Sequence, residues 1–359
     1  MKIYNFNKLL FTLQLNDNLY NLLLDKELFT RITNKKKEID DVQYKWDSAK
    51  KISNDYEYIY TSSNYKKNIS SILPVSRSFF KLREIINDFK LNINGRCSCI
   101  AEAPGGFIQS LLLYSEEKNI SLDSIYGITL VSDDKDVPFW NPLLSNHSKT
   151  ILCNGYDNTG DLYKLCNVVD FIKKCGKHSC QIVTGDGGFD YTSDFEQELS
   201  SYRLFYSEIM IALNIQKEGG TFICKMFDLF WYITLQLVYI LYLSYEKISF
   251  CKPSTSRQSN SEKYIVCQGF KGYNKELSNL MCSHFGNELP IELPESFIEM
   301  MNLYHHQFIT YQINRIESTL QLIKQRRILD KPSQRQIRLA IEWCKKYEIK
   351  INNSCIYLR

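Results

Sequence analysis

The sequence predicts an α/β fold: a doubly wound, mixed seven-stranded sheet with helices on both faces, extended by helical segments at both ends. Two observations lead there. From residue 96 onward, short apolar runs occur at Cys97–Ala101, Ser124–Thr129, Thr150–Cys153, Gln181–Thr184, Thr221–Lys225, Lys247–Cys251 and Lys263–Gly269. Between most of them lie segments of helical character: Gly106–Tyr114, Leu162–Cys175, Gln197–Gln216 and Leu229–Tyr245. Alternation of this kind builds a sheet covered on both sides. The last two runs are separated only by the polar stretch Lys252–Glu262, too short for a parallel crossover, so they are expected to pair antiparallel.

The flanks differ in texture. Residues 1–70 read as helical and carry the charge run Lys35-Lys36-Lys37-Glu38, which reads as a solvated face or loop. A helix is expected over Ser76–Phe89. Residues 275–359 read as helical again, with a basic stretch from Lys324 to Arg338 interrupted at Pro332. The expected organisation is therefore 1–70 as an extension, 71–274 as the α/β domain and 275–359 as a second extension. The run Leu229–Tyr245 is apolar enough to raise the question of a membrane span. It contains Gln236 and sits between two expected strands, which favours a helix buried against the sheet.

Composition narrows the class. A 359-residue chain that is 44% hydrophobic and 23% charged can bury a sizeable core. A formal charge of +4 permits a nucleic-acid partner without requiring one, because phosphate binding needs a local basic face. The twelve Cys lack the paired CxxC spacing of a zinc site, and no signal peptide is visible at the start. Cys97 and Cys99 alternate as strand residues do, and Cys175 and Cys180 form a possible pair with nothing to support a site. The expectation is a reduced, intracellular protein whose cysteines pack the core.

Four motifs carry chemistry. Ala101-Glu102-Ala103-Pro104-Gly105-Gly106-Phe107 joins the first strand to a helix, and its Gly pair allows a tight turn and close approach to a ligand. Thr184-Gly185-Asp186-Gly187-Gly188-Phe189 sets an Asp at a strand end, where it also serves as an ordinary turn residue. Gly219-Gly220-Thr221-Phe222-Ile223-Cys224-Lys225 ends an apolar strand with a Lys, which must find a partner, shift its pKa or snorkel to solvent. The hydroxyl-rich loop from Lys252 delivers Glu262 to the last strand. Each motif alone has a bland reading as a turn or hairpin. Together they set an Asp, a Lys and a Glu at neighbouring strand ends.

From about Ser76 to Gly272 the chain resembles the RrmJ/FtsJ superfamily of RNA 2′-O-methyltransferases, most of all its cap-specific mRNA branch in eukaryotes and large DNA viruses. The resemblance implies a Rossmann-like, S-adenosyl-L-methionine-dependent methyltransferase fold. It also implies a tetrad. "SRSFFKLREI" is similar to the family's first lysine-bearing helix and points to Lys81. "TGDGGFD" supplies Asp186, "GGTFICKMFDLF" Lys225, and "KPSTSRQSNSEKYIVC" Glu262. Lys51, in "SAKK", competes for the first position; Lys81 is favoured because it lies close before the cofactor loop. "EAPGGF" resembles that loop and implies Glu102, Ala103, Pro104, Gly105, Gly106 and Phe107 as cofactor-binding. Asp186 joins them, as do Thr129 in "YGITL" and Asp161 in "DNTGDL", the segment similar to the one that holds the adenine. Bacterial members have an Asp where Thr129 stands, and the "TL" here resembles the cap branch. No metal is implied.

The implied partner is RNA, at the capped 5′ end of mRNA, with the capping or transcription machinery as further company and no membrane. The implied place is cytoplasmic (a viral factory or virion for a viral source) or the nucleus for a cellular enzyme. Methylation of ribosomal or transfer RNA, and an inactive RNA-binding subunit, are the alternative readings. In the resemblance, Lys225 takes or steers the proton of a ribose 2′-hydroxyl, and the sign of its pKa shift stays open in the sequence. Phe189, Tyr191 and Phe227 are candidates for base stacking, with packing as the alternative.

Overall fold

A computed structural model of the chain describes residues 25–188, 197–325 and 331–358. In chain order the helices are α1 (Lys26–Asp40), α2 (Gln43–Ile52), α3 (Ser78–Asp88), α4 (Gly106–Lys118), α5 (Pro142–Ser145), α6 (Leu165–Cys175), α7 (Gln197–Ile215), α8 (Tyr232–Ser244), α9 (Lys275–Ser283), α10 (Glu295–Lys324) and α11 (Gln334–Lys346). The strands are β1 (Gly95–Ile100), β2 (Leu122–Ile128), β3 (Thr150–Cys153), β4 (Cys180–Gly185), β5 (Gln216–Met226), β6 (Tyr245–Cys251) and β7 (Lys263–Phe270).

Two compact units divide these elements. The sheet unit contains Lys90–Cys251 and Glu262–Met301. Its seven strands run in the order β3-β2-β1-β4-β5-β7-β6. Neighbours from β3 to β5 are parallel, and β7 is antiparallel to both β5 and β6. The mixed seven-stranded sheet and its antiparallel edge agree with the expectation from the run pattern. The centre of the sheet is apolar on both faces: Cys97, Cys99, Ile100, Ile182, Val183, Phe222 and Ile223 are all fully buried. These cysteines pack as small hydrophobes.

The apolar run at 229–245 becomes α8, a 13-residue helix buried along most of its length. Gln236 within it is buried and donates to the carbonyls of Leu289 and Ile291, so the one amide in the run has internal acceptors. Among the described residues no helix is long and apolar enough to cross a membrane.

The helical unit gathers three separate stretches, Leu24–Phe89, Lys252–Ser261 and Asn302–Arg359. Its core is aromatic: Phe79, Phe80, Trp343 and Tyr347 meet in sequence at centroid distances of 5.1, 5.6 and 4.6 Å. Helix is not continuous over the first 70 residues. Residues 1–24 lie outside the described residues. From Ser53 to Arg77 the chain makes only two 3-10 turns, Glu57–Ile59 and Tyr65–Lys67. The reason is local competition. The side chain of buried Asn68 accepts from the amides of Thr61 and Ser62 and donates to the carbonyls of Ser62 and Asn64, giving this Ser- and Asn-rich stretch an alternative to helical bonding. The lysine run is not uniformly solvated, since Lys36 is buried on the face of α1 that also carries Leu28, Ile32 and Ile39.

Replacing Asn68 by Ala strips the half-buried amides of Thr61 and Ser62 of their acceptor. It is expected to cost about 1–3 kcal/mol, read as a lower urea midpoint of the full chain. A loss below about 0.5 kcal/mol, the range of a neutral surface change, would contradict this account of the segment.

Candidate active site

The parallel strands end level. Ile100 pairs with Ile128 on one side and Gly185 on the other, Ile128 pairs with Cys153, and Gly185 pairs with Cys224. The amide of Ala101 donates to the Ile128 carbonyl and that of Asp186 to the Ile100 carbonyl, so the register extends one residue into the loops. Ala101, Thr129, Asp186 and Lys225 therefore stand side by side at the carboxyl edge, the place where open α/β sheets bind ligands.

The loop after β1 is built around Glu102. Its carboxylate is buried and accepts from the amides of Phe107 at 2.6 Å and Ile108 at 3.3 Å, satisfying two donors of the first turn of α4. Glu102 thus shapes the turn that leads into α4. Gly105 has φ of +109°, a conformation that strains any side chain, and a Leu144 methyl lies 2.5 Å from where its Cβ would stand. Ala103–Pro104 is a cis peptide bond.

The loops after β2 and β3 are stitched together. Val131 donates to the Thr159 carbonyl and Gly160 to the Asn154 carbonyl, both at 2.7 Å. Gly160, with φ of +61°, lies against the backbone of Thr129 where a Cβ would collide with the carbonyl. This contact brings Asp161 beside the end of β2. Its carboxylate accepts from the Tyr163 amide at 2.9 Å, and buried Asn167 donates to its carbonyl. Neighbouring Asp157 is ion-paired with Lys164 at 2.7 Å, and that lysine holds its carboxyl well below the usual range.

The third group is the tightest. Lys225 Nζ donates to the Asp186 carbonyl at 2.8 Å and stands 3.6 Å from its carboxylate. Lys225 pairs with Tyr264 across β5 and β7, and the buried phenol donates to the same Asp186 carboxylate oxygen at 2.7 Å. Burial, with the Asp186 and Glu262 carboxylates nearby, pushes that phenol well above its ordinary range and keeps it a donor. Beneath them lies Glu208 of α7, fully buried. It accepts from the Gly187 amide and the Cys224 thiol, each at 3.2 Å. The glycines of "GDGG" leave room for these approaches. A Cβ on Gly185 would stand 2.7 Å from the Glu208 carboxyl carbon, and one on Gly188 would stand 2.8 Å from Lys225 Nζ.

Of the expected tetrad, the sheet unit brings Asp186 and Lys225 together. Glu262 directly precedes Lys263, which pairs with Met226 at the end of β5. Lys81 belongs to the helical unit, half-buried on α3, while its competitor Lys51 is exposed in the last turn of α2. Phe227 is buried with its ring 6.0 Å from Phe205, which makes it core packing and not a stacking platform. Phe189 and Tyr191, like Arg326 and Arg327 of the basic stretch, lie outside the described residues. Sequence reasoning missed Tyr264, Glu208 and Glu198. The last is fully buried and accepts from the amides of Phe230 and Trp231 at 2.8 and 3.0 Å, fixing the loop that leaves β5. The available signal was a lone Glu within the apolar run Phe205-Tyr206-Ser207-Glu208-Ile209-Met210.

Comparison with known proteins identifies the class. The FtsJ-like methyltransferase family model matches residues 74–270, and the chain belongs to that family. Its relatives carry a more particular name. The mouse cap-specific mRNA (nucleoside-2′-O-)-methyltransferase 2 is 30% identical over 297 residues, covering 73% of this chain and 37% of the mouse protein. The cap-specific mRNA (nucleoside-2′-O-)-methyltransferase 1 of Trypanosoma brucei brucei is 33% identical over 179 residues, covering 49% of this chain and 47% of its own. The chain thus spans less than half the length of these curated relatives. Among solved structures, a ribosomal RNA methyltransferase from Plasmodium falciparum aligns with a TM-score of 0.41 at 23% identity, over 55% of this chain and 99% of its own.

Gly188→Ala is expected to push the Lys225 ammonium aside and lower methyl transfer by about ten- to a hundredfold, the scale of a misplaced reacting group. The cooperative unfolding transition should stay intact, because the clash falls on the end of a flexible side chain. Wild-type turnover in this variant would mean that the Lys225 position is unimportant.

Proposed function

We propose that this chain transfers a methyl group from S-adenosylmethionine to the ribose 2′-hydroxyl of a nucleotide next to the mRNA cap. The observation that carries the reading is the Asp186–Lys225–Tyr264 cluster at the carboxyl edge of the sheet, one strand from the glycine loop of β1. The names of the relatives supply the cap-proximal substrate.

FtsJ-like methyltransferases use S-adenosylmethionine as a class. The residues here fit it. Asp161 offers a half-buried, oriented carboxylate suited to an exocyclic amine, and Asp186 lies two strands away, with the backbone of the 101–107 turn on β1 between them. Ala103, Pro104, Gly105, Gly106 and Thr129 would form the walls, Glu102 holds their turn, and Phe107, expected from the sequence to touch the cofactor, is fully buried and packs behind it. Bound there, the cofactor supplies an electrophilic sulfonium methyl.

Lys225 aligns the 2′-hydroxyl and, in its neutral form, takes its proton. Asp186 fixes Lys225 through its carbonyl, and Tyr264 in turn fixes the Asp186 carboxylate. Glu262, directly before β7, is the further proposed member in the sheet unit, and Lys81 of the helical unit is the residue that the resemblance implies for the fourth position.

Charge distribution supports a polyanionic substrate. By sequence, the three stretches of the helical unit hold 26 Lys and Arg against 14 Asp and Glu, a formal +12. The rest of the chain holds 18 against 26, a formal −8, so a total of +4 conceals a strongly basic unit. On α11, Arg335, Arg338 and Lys345 are exposed; Arg335 lies 3.3 Å from Asp55 and Arg338 3.8 Å from Glu342, surface pairs weak enough for a phosphate to compete.

The first test is transfer of labelled methyl to one RNA with and without an N7-methylguanosine cap, the product being digested to locate the label. Label on the 2′-oxygen beside the cap is expected. Equal labelling of uncapped RNA would move the substrate to structured RNA. Lys225→Ala should lower kcat by about 10²–10⁴-fold, the usual contribution of a positioned general base, while cofactor affinity is retained. Lys225→Arg should also fail, since guanidinium stays charged. Replacing Arg335, Arg338 and Lys345 by Gln should reduce the slope of log binding constant against log salt by up to about 2, at about 0.7 for each phosphate contact on a single strand. An unchanged slope would assign that face to solvent.

A further inference from the structure

Glu208 has no part in the proposed tetrad, yet it touches both segments that carry its sheet-unit lysine and aspartate. Its carboxyl is fully buried beneath the turn that follows β4. One oxygen accepts from the Gly187 amide, the residue after Asp186, and the other from the thiol of Cys224, the residue before Lys225. Gly185 and Gly187 would both place a Cβ within 3 Å of that carboxyl, so the turn sits directly on it. This is closer than packing alone requires, and a carboxyl group is a costly way to fill an apolar interior. The group must therefore be offset by what it holds.

We propose that Glu208 is a positioning residue for methyl transfer: from α7 it ties the Asp186–Gly188 turn to the strand bearing Lys225, and so sets the distance between the Asp186 carbonyl and the Lys225 ammonium. The proposal rests on the methyltransferase reading above.

The charged and titratable groups facing Glu208 are Cys224 and Lys225 from β5 and Asp186 from the β4 turn. Burial pushes its carboxyl up to about 8, against the lowering effect of Cys224, the Gly187 amide and Lys225. The Cys224 thiol is itself held well above its ordinary range by burial and by Glu208. Below about pH 8 the side chain is therefore a neutral carboxylic acid. Gln keeps the size and neutrality of that form: its oxygen accepts from the Gly187 amide, and its NH₂ takes the place of the acid hydroxyl and donates to the Cys224 sulfur, the thiol turning its own proton away. Above that pH a buried anion arises beside Asp186, and the turn and Lys225 respond to it.

The experiment compares wild type, Glu208→Gln and Glu208→Ala in the full chain, with three readouts: kcat against KM for RNA across pH 6–10, cofactor affinity, and amide exchange at Gly187 and Gly188. In Glu208→Ala, kcat is expected to fall about ten- to a hundredfold with KM and cofactor affinity nearly unchanged, the mark of a displaced reacting group. Exchange at Gly187 should accelerate by a similar factor. Glu208→Gln should restore both at pH 7 and should lose an inflection in kcat near pH 8 that wild type shows. Wild-type kcat and Gly187 protection in Glu208→Ala would overturn the proposal. So would a loss of activity that merely follows the loss of cofactor affinity or of folded protein, or a Gln variant as impaired as Ala. Failure of the functional reading is distinct: wild type would then methylate no RNA, while the exchange data would still report whether Glu208 holds the turn.

Discussion

The level ending of the parallel strands is the constraint on which the remaining structure depends. Ile100 lies between Ile128 and Gly185, and Gly185 lies against Cys224, so the next residue of each strand enters the same narrow zone. A shift of one residue in β5 would turn Lys225 to the opposite face and bring Cys224 or Met226 in its place. The glycines follow from the same constraint. Once Lys225 and Glu208 converge on the 185–188 turn, a Cβ at Gly185 or Gly187 would come within 3 Å of the Glu208 carboxyl, while the side chain of Asp186 is directed to Lys225 and Tyr264.

Loops at this edge have no ladder to satisfy their amides, and buried glutamates do it instead. Glu102 accepts from Phe107 and Ile108, Glu208 from Gly187, and Glu198 from Phe230 and Trp231. In the helical unit Glu84 accepts from the amides of Ser254 and Thr255, each at 2.7 Å. Each buried donor needs an acceptor, and a carboxyl group can serve two at once. Burial raises Glu84, Glu198 and Glu208 toward the protonated form, the last two up to about 8. The irregular backbone is thus held by groups that belong to the core and not to the surface.

The stretch Lys252–Ser261 shows the same economy. It reads in sequence as a hairpin loop between β6 and β7, yet it packs within the helical unit. Glu84 grips its start, and Arg77 donates to the Thr255 carbonyl. Buried Glu57 lies within ion-pair distance of both Arg77 and Arg257, at 3.4 and 3.1 Å. Breaking such a buried arrangement from one side leaves a charge uncompensated, which fixes the path of the loop more firmly than its Ser-rich composition suggests. Glu84 lies one turn beyond Lys81 on α3, so the helix of the first expected lysine and the loop that leads to Glu262 share one anchor.

By itself the sequence determined the alternation of strands and helices, the antiparallel edge, and the residues Asp186, Lys225 and Glu262 at strand ends. Those features are local: apolar period, glycine position and loop length are written in consecutive residues. Thr129 and Asp161 were legible as a strand end and a loop, but their adjacency came from Gly160 meeting a backbone thirty residues away. Tertiary structure alone decided that Glu102, Glu198 and Glu208 hold turns, that Tyr264 completes the Asp186 cluster, and that three distant stretches form one helical unit. It also showed Phe227 to be core. These are contacts between segments far apart in the chain, and a buried carboxyl or phenol has no distinguishing neighbour in sequence. What it does depends on which amide the fold brings to it.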